Sequence, residues 1–558
     1  MATKVETCNE DTGKLETLRL LEEDELPFTD NQEKEMTDQE VDDLNMWLYL
    51  KDKFNISNEA WREFSAKAKD FPKLSKVIKR INDLNASWTL SPTPGEAEGV
   101  QVKFEDSLRK QLERIKLKDD IIKVKFSGDG TQIGKRLKIV NFTYTILNEK
   151  EAAMGEKGNY ILAIVKTTEN YENLKESLFD LSSEMTSLTK ITVNDKTYTI
   201  EYFLGGDWKF LACVCGLGAA NQDHACIWCK CPRIERWDFN KQWSVADLKL
   251  GARNLEEMSK YAKSKKYNCK HDPLFPFIPL DHVVIDTLHL FLRISDNLIE
   301  LLIRELRRMD TIEKKDTFTN GFPRDKYKHM AAYETLLRNL GISFQWHIGK
   351  DSKKLEYRDL TGPEKLKLFE NIKISSLLND ETMGNQIQNL WAGFMDIIGD
   401  LKLDFHCDTE IMQLKTKIKS WFENFLKLYQ TKDVTPYMHA LNAHVPEFLK
   451  LYKNIAYYTQ QGMEKYNDRA SKDYFRSTNH RGVAALKQLF LKKNRIQYLE
   501  AGGYVRVKNS YACSNCSNIG HTIKTCSYKC VNYEHATCCS HLIKINGQWK
   551  QKCLLVTD

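Results

Sequence analysis

The sequence lacks any run of about 18 uncharged apolar residues, and its first residues contain no apolar segment of the kind found in secretory signals. We therefore expect neither a membrane-spanning helix nor secretion. The sequence also lacks extremes of composition, because apolar residues make up 42% and charged residues 29%. These values exclude a collagen, a coiled-coil rod and a wholly disordered chain. The length of 558 residues predicts a globular protein of roughly three or four domains.

Negative charge is concentrated at the start of the sequence. Residues 1–50 carry 15 acidic and 4 basic residues, whereas the rest of the chain carries 62 acidic and 79 basic residues. A basic body predicts a polyanionic partner, although a solvated lysine-rich surface has the same composition. Residues 1–45 contain few aromatics, so we predict that this acidic leader is disordered or loosely attached.

The apolar pattern changes from helical to strand-like near residue 119. Before it, the spacing over 46–90 and a charged stretch over 103–118 predict helices, joined by a linker at 90–99 that is rich in proline and glycine. After it, β-rich segments predict four strands, over 121–127, 137–147, 160–165 and 197–204. A helix over 170–190 separates the last two strands. Three strands, a helix and a further strand match an RNase H-like α/β core.

The rest of the chain is predicted to be almost entirely helical until a short tail in which cysteine, asparagine and serine become frequent. The predicted divisions are a leader at 1–45, a helical region with its linker at 46–118, the first part of the core at 119–234, a helical insertion at 235–455, the C-terminal core helices at 456–500 and a Cys/His-rich tail at 501–558.

The tail contains the spacing C-x2-C-x4-H-x4-C, formed by Cys513, Cys516, His521 and Cys526. This spacing resembles the retroviral-type CCHC zinc knuckle, in which three thiolates and an imidazole surround one Zn²⁺. Zinc knuckles contact single-stranded nucleic acid, but the residues between the first two cysteines are not aromatic here, so a protein-contacting module is the alternative. Five further Cys and His residues follow no established spacing and are a weaker candidate for a second site: Cys530, His535, Cys538, Cys539 and His541.

Two other pairs of metal-binding residue types lie far apart in the sequence. Cys226 and Cys229 form a C-x2-C pair after the fourth predicted strand, and His439 and His444 follow much later. Alone, the cysteine pair is compatible with redox chemistry, zinc binding or coincidence. Together the four residues offer a closed Cys2His2 zinc site, while the alternative for the histidines is an unrelated pair that is hydrogen-bonded in the core or at the surface.

Two aspartates follow predicted strands. Asp129 ends the first strand in Ser-Gly-Asp-Gly-Thr, and Asp207 follows the fourth in Leu-Gly-Gly-Asp-Trp. Phosphoryl transfer with two Mg²⁺ ions needs carboxylates that converge from different elements, and the flanking glycines would allow a ligand to approach closely. Taken singly, each aspartate is better explained as a turn or helix-cap residue.

Taken in order, these segments resemble the catalytic core of RAG-like recombinases and Transib-type DDE transposases. The resemblance covers about residues 119–500 and includes Val445-Pro446-Glu447 after the paired histidines. It also includes Gln461-Gly462-Met463-Glu464-Lys465-Tyr466-Asn467, in which Glu464 takes the position of the catalytic glutamate of the family. The sequence departs from the family in its N-terminal region and in its zinc-knuckle tail.

The resemblance implies that Asp129, Asp207 and Glu464 bind Mg²⁺ or Mn²⁺. It also implies a structural Zn²⁺ site, whose ligands are Cys226, Cys229, His439 and His444. Asp286 is a competing carboxylate, which we interpret as a helix-entry residue. Basic residues after the glutamate are predicted to contact nucleic-acid phosphates, with an exposed helix face as the alternative; they are Lys465, Arg469, Lys472, Arg476 and Arg481.

The predicted fold class is α/β, with an RNase H-like core, a large and mostly helical zinc-containing insertion, a helical N-terminal segment and a small zinc-knuckle tail. The predicted function is that of a DDE-type DNA transposase or recombinase, which nicks DNA and transfers the cut strand with two divalent metal ions. We expect a nuclear homodimer on DNA, single-stranded nucleic acid at the knuckle and no membrane partner. The alternatives are a non-catalytic nucleic-acid-binding protein of the same fold and a metal-dependent nuclease.

Overall fold

The computed structural model describes residues 4–8, 15–19, 36–505, 542–545 and 548–551, except residues 69, 116, 314–315, 319–320 and 406. These residues form a mixture of helices and strands, so the α/β class predicted from the sequence is confirmed. None of the helices in the described ranges is both long and apolar enough to cross a membrane.

The described strands are β1 Lys4–Cys8, β2 Leu15–Arg19, β3 Ser91–Pro92, β4 Gly99–Gln101, β5 Ile121–Ile133, β6 Leu137–Ile146, β7 Tyr160–Val165, β8 Lys190–Val193, β9 Lys196–Gly205, β10 His347–Ile348, β11 Leu355–Glu356, β12 Leu542–Ile545 and β13 Gln548–Gln551.

The described α-helices are α1 Asp38–Phe54, α2 Asn58–Lys67, α3 Leu74–Ala86, α4 Phe104–Arg114, α5 Glu151–Met154, α6 Tyr171–Ser177, α7 Phe179–Ser187, α8 Trp208–Val214, α9 Leu255–Ser264, α10 Thr287–Met309, α11 Lys328–Asn339, α12 Gly362–Asn371, α13 Glu381–Asp400, α14 Asp408–Leu428, α15 Pro436–Ala443, α16 Val445–Tyr452, α17 Gln461–Ser477 and α18 Gly482–Ala501.

Seven strands form one sheet in the order β3-β4-β7-β6-β5-β9-β8. The strands β5, β6 and β7 form an antiparallel meander, and β9 lies parallel to β5 on its other side. The helices α6 and α7 carry the chain from β7 across to the far side of β5. The predicted order of three strands, a helix and a further strand is therefore observed, and its consequence is that the first and fourth predicted strands are neighbours.

Alternation along the strands gives the sheet two chemically different faces, both buried. On one face, the rings of Phe126 and Phe142 stack with their centroids 6.1 Å apart. On the other face, Lys125 and Asn141 are fully buried, and the Asn141 amide donates to Asn467 of α17 at 2.7 Å. A buried polar face must be matched by polar partners, which come here from α17 and from the segment just before it.

Three parts of the fold differ from the sequence predictions. The proline- and glycine-rich segment near residues 90–99 is not only a linker, because β3 and β4 pair with each other and β4 extends the sheet beside β7. Pro92 is tolerated because β3 is an edge strand. The leader, predicted to be disordered or loosely attached, contains the β1–β2 pair, and α1 already begins at Asp38 with a capping box. The short edge strand β8 was not predicted at all.

The helices α1–α3 form a small separate cluster that docks on α18. Leu48, Trp61 and Val77 pack there against Leu499. Buried ion pairs accompany this contact, including a two-point pair between Arg495 of α18 and Asp52 of α1. The larger hydrophobic cluster is continuous from the sheet through the predicted helical insertion. The insertion therefore shares its core with the sheet.

Candidate acidic site and candidate metal centre

Asp129 and Asp207 lie at the end of the parallel strand pair. Ser127 of β5 pairs with Gly205 of β9, so each aspartate stands two residues beyond a paired position. Neighbouring strands are about 4.8 Å apart. The parallel pairing of β5 and β9 therefore brings the two aspartates to one end of the sheet.

Asp129 is a partly buried carboxyl group. Asn467 of α17 donates a short hydrogen bond to its Oδ2. Burial, followed by the negative charges of Glu464 and Asp207, raises the pKa of Asp129 to about 8. Such a concentration of like charge favours the binding of a divalent cation.

Asp207 is the N-cap of α8, and its Oδ1 accepts the backbone N–H of Phe210 at 2.7 Å. The Phe210 ring also explains two of the flanking glycines. A Cβ at Gly128 or Gly206 would lie 2.2 or 2.5 Å from atoms of this ring. From the sequence, we expected these glycines to leave room for a ligand. At Gly128 and Gly206, the structure shows instead that the room is taken by the Phe210 ring.

Glu464 lies in the first turn of α17, where its side chain is 45% exposed. Its Oε1 is 3.4 Å from Nε2 of His289 in α10, and the other ring nitrogen of His289 forms a short hydrogen bond with Asp286. Burial opposes a charge on His289, but the contacts with Asp286 and Glu464 raise its pKa to about 10. Sequence reasoning missed His289, although its spacing three residues after Asp286 on a helix was a usable signal.

Asp286 is the buried N-cap of α10, which confirms its interpretation as a helix-entry residue. It also accepts the backbone N–H of Gln460, just before α17, at 2.9 Å. From the sheet, the Nζ of Lys125 donates to the carbonyls of Tyr458 and Thr459 at 3.0 and 2.8 Å. Burial lowers the pKa of Lys125 to about 8, although the negative charge of Asp286 acts to raise it. Two buried charged residues thus fix the segment that leads into α17 and Glu464.

A further carboxylate that sequence reasoning missed is Glu169, just before α6. A Cβ at Gly130 would lie 3.1 Å from its Oε2, so Glu169 approaches the strand segment that carries Asp129. Its charge is partly compensated by Lys209, whose Nζ is 2.8 Å from the same oxygen. Burial raises the pKa of Glu169, and Asp207 contributes in the same direction. The negative potential of this region therefore comes from four carboxylates.

The predicted convergence of Cys226, Cys229, His439 and His444 is confirmed. Their ligand atoms all lie within 4.8 Å of one another, and all four residues are buried. Sγ of Cys226 and Nε2 of His444 are 3.2 Å apart, as are Sγ of Cys229 and Nε2 of His439. Ligand atoms around a tetrahedral Zn²⁺ are separated by roughly 3.3–3.8 Å, so this group fits zinc binding.

The charges in this cluster attract one another. Burial alone would raise the pKa of the Cys226 thiol, but a hydrogen bond with Cys229 and the charge of His444 lower it well below its usual value. Burial opposes the charge on His444, while the thiolate of Cys226 and then Glu447 raise its pKa to about 9. A thiolate is the form of cysteine that binds metals, so the cluster already favours the required protonation state at Cys226.

The surroundings of the cluster hold its ligands in place. Nδ1 of His444 is 3.7 Å from Glu447, and Glu447 accepts hydrogen bonds from Ser244 and from the backbone of Val245. At 3.7 Å, the His444–Glu447 pair is an electrostatic contact longer than a hydrogen bond. The Trp228 ring, between the two cysteines in sequence, packs 5.4 Å from the His444 ring.

The Cys/His cluster is also connected to the acidic site. Trp208, which directly follows Asp207, packs against Trp228 with ring centroids 5.6 Å apart. The backbone N–H of Trp208 donates to the Tyr437 hydroxyl at 3.2 Å, and Tyr437 precedes His439 by two residues on α15. The helix start that carries Asp207 is therefore supported by both halves of the cluster.

The acidic residues are arranged differently from the Cys/His cluster. In the described ranges, the cluster is the one set of three or more potential ligands whose atoms approach closely enough to hold an ion. The carboxylates instead have partners of their own: an amide for Asp129, a helix start for Asp207 and an imidazole for Glu464.

The five basic residues predicted to contact phosphates lie on α17 or just before α18. Four of them are exposed: Lys465, Lys472, Arg476 and Arg481. Arg469 is mostly buried and lies 3.5 Å from both Glu156 and Asp473. Because its charge is already matched, Arg469 is the member of the set least available to a phosphate.

The predicted knuckle residues Cys513, Cys516, His521 and Cys526 lie outside the described residues. The same holds for the weaker second set, Cys530, His535, Cys538, Cys539 and His541.

The chain matches no protein-family model and no curated protein.

Proposed function

We propose that the protein is a DDE-type DNA transposase or recombinase with an RNase H-like core. The observation that carries the proposal is the parallel pairing of β5 and β9, which brings Asp129 and Asp207 to one end of the sheet. Glu464 lies on α17, the helix whose Asn467 hydrogen-bonds Asp129, one turn before that residue. Carboxylates from three separate elements are what two-metal phosphoryl transfer requires.

Asp129, Asp207 and Glu464 would hold two Mg²⁺ or Mn²⁺ ions, which would activate the attacking oxygen and stabilise the leaving oxygen of the cleaved phosphodiester. Other side chains would position these carboxylates. His289, oriented by Asp286, restricts Glu464 to one side of the site. Asn467 orients the carboxylate of Asp129 through its hydrogen bond.

A polyanionic substrate suits the surface beside Asp207. A cavity of about 560 Å³ opens there, and Lys209, Lys270 and Arg293 are among its lining residues. The exposed cations on α17 and before α18 provide further phosphate contacts. We expect DNA to bind here to a nuclear homodimer, with the zinc-knuckle tail contacting single-stranded nucleic acid.

The Cys226, Cys229, His439 and His444 cluster would hold a structural Zn²⁺ ion. All four coordination positions are taken by protein ligands, which is typical of structural sites. The ion would tie the beginning of the helical insertion to its end and support the helix start at Asp207.

A nicking assay on purified protein with Mg²⁺ or Mn²⁺ tests the proposal. We expect cleavage by the parent and loss of cleavage with unchanged DNA binding in Glu464→Gln. The matched control is Asp468→Asn, which removes an exposed acidic side chain from the same helix and should retain activity. Joining of a 3′-hydroxyl end to a second duplex would separate a transposase from a nuclease.

The non-catalytic alternative is favoured by one observation, namely that each of the three carboxylates has a protein partner. DNA binding without cleavage in either metal would establish this alternative and exclude the proposed chemistry.

A further inference from the structure

A second cavity lies between α3, α4 and α18 and contains none of the residues assigned to the acidic site or the Cys/His cluster. Its volume of about 340 Å³ suits a single small group such as one nucleotide. Four cations line it, against two carboxylates; the cations are Arg80, Lys110, Arg114 and Arg495, and the carboxylates are Asp83 and Glu113.

Three of the four cations in this cavity are available to an anion. Arg495 is matched by its two-point ion pair with Asp52. In the part of the chain that the structure describes, Arg80, Lys110 and Arg114 form hydrogen bonds only to neutral side-chain or backbone oxygens. Burial lowers the pKa of Lys110, whereas the charges of Asp106 and Glu113 act in the opposite direction without forming an ion pair with it in the described residues. With Arg495 paired to Asp52, the lining retains three cations against two carboxylates, so the cavity keeps an excess of one positive charge, and its cations form no ion pair with those carboxylates in the described residues.

Two aromatic rings stand beside these cations. Nζ of Lys110 lies 4.1 Å from the ring centroid of Trp88, and Cζ of Arg114 lies 5.9 Å from that of Tyr498. Tyr498 is 42% exposed even though it lies on α18 between the sheet and the N-terminal helices. Cations that alternate with partly exposed rings characterise surfaces that bind single-stranded nucleic acid, where phosphates meet the cations and bases stack on the rings.

We propose that this cavity binds one nucleotide unit of a single-stranded nucleic acid. Its phosphate would lie between Lys110 and Arg114, and its base would stack on Tyr498 or Trp88. An acidic peptide would use the cations but would have no use for the two rings, so a nucleotide fits the lining better. The proposal does not depend on metal chemistry at the acidic site, and either can fail without the other.

The test is the binding of a short fluorescent single-stranded oligonucleotide to the full chain, measured by anisotropy over a range of salt concentrations without added divalent ions. In Lys110→Gln/Arg114→Gln, we expect the slope of log affinity against log salt to fall by about 0.7, the value for one lost phosphate contact. In Tyr498→Ala, we expect affinity to fall between about 5-fold and 150-fold, with the salt slope unchanged.

The matched control is Lys67→Gln/Arg308→Gln, which removes two charges whose side chains are 81% and 73% exposed. It should bind like the parent. Thermal melting verifies that Tyr498→Ala is folded, and Trp88→Leu provides a second ring variant.

Three results would overturn the proposal. The first is a double cation variant that binds like the control. The second is a ring variant with parent affinity together with full competition by a poly-glutamate peptide, which would identify an acidic peptide as the occupant. The third is a mononucleotide that competes as well as the oligonucleotide, which would make the cavity a free-nucleotide site.

Discussion

The Cys/His cluster and the acidic site are both assembled by long-range contacts, yet they differ in how far they are closed. The four ligands of the cluster are buried within 4.8 Å of one another. The carboxylates of Asp129, Asp207 and Glu464 each have a separate protein partner, and Glu464 remains 45% exposed. The two ligand sets also differ chemically, since thiolates and imidazoles converge on one ion in closed zinc sites whereas neighbouring carboxylates without an ion repel one another.

The two arrangements suit different roles for a bound ion. A closed set of ligands suits a structural ion, and an open acidic set suits ions that must also contact substrate. The contacts of Trp208 with Trp228 and Tyr437 connect the two sites, so the closed site can support the open one.

The largest effect is expected from a substitution of Cys226 in the Cys/His cluster. In Cys226→Ser, we expect the zinc content to fall by one equivalent and the free energy of unfolding to fall by about 4 kcal/mol or more, because a buried metal site is lost. Metal analysis and thermal melting measure both quantities. Cys407→Ser, at the exposed N-cap of α14, is the control for metal content and should leave the zinc content unchanged. Equal zinc content in both variants would exclude the cluster as a zinc site.

At Asp129, a proposed Mg²⁺ ligand, we expect a substitution to increase stability and not to decrease it. In Asp129→Asn, we expect the free energy of unfolding to rise by about 1–3 kcal/mol without added divalent ions, because asparagine avoids the cost of either burying the Asp129 charge beside other carboxylates or protonating it. The stabilisation that Mg²⁺ gives to the parent should disappear, since the ligand is lost.

Denaturant unfolding with and without Mg²⁺ measures both effects at Asp129. Asp468→Asn on the surface of α17 is the control and should retain the Mg²⁺ effect. A lower stability of Asp129→Asn in both conditions would contradict the comparison.

A third prediction concerns His289, the partner of Glu464. Because imidazoles that orient metal ligands typically affect metal affinity or activity 10–100-fold, we expect His289→Asn to reduce nicking by about that factor. The defect should be partly recovered at higher Mn²⁺ concentration, which a purely structural role would not produce. The exposed His347→Asn is the control. A defect that is independent of Mn²⁺ would argue against a positioning role.

The smallest effect is expected for Tyr437, whose contact with Trp208 connects the Cys/His cluster to the acidic site. Tyr437→Phe removes the acceptor for the Trp208 N–H, and we expect a loss of about 1 kcal/mol in the free energy of unfolding. Nicking should fall while zinc content stays unchanged. Tyr457→Phe is the control, because that ring is partly exposed. Full nicking activity in Tyr437→Phe would show that the two sites function independently.

Local pattern in the sequence was sufficient for the main elements. The alternation of apolar residues placed the third strand at its observed bounds, Tyr160–Val165, and the helical spacing after residue 46 corresponds to α1–α3. The local pattern did not predict β3, β4 and β8, which are two to four residues long. Strands this short form because a neighbouring strand offers hydrogen bonds, and the local pattern does not show that neighbour.

The same division applies to the sites. The sequence by itself determined which residue types were available: the C-x2-C pair, the two histidines and the aspartates after strands. Only the tertiary structure decided that Cys226 meets His444 across 218 residues and that His289 faces Glu464. The buried roles of Lys125 and Glu169 were equally invisible, because burial and charge neighbours come from elements distant in the chain. Local spacing specifies chemistry, but the pairing of β5 with β9 and the packing of α15 and α17 specify which groups meet.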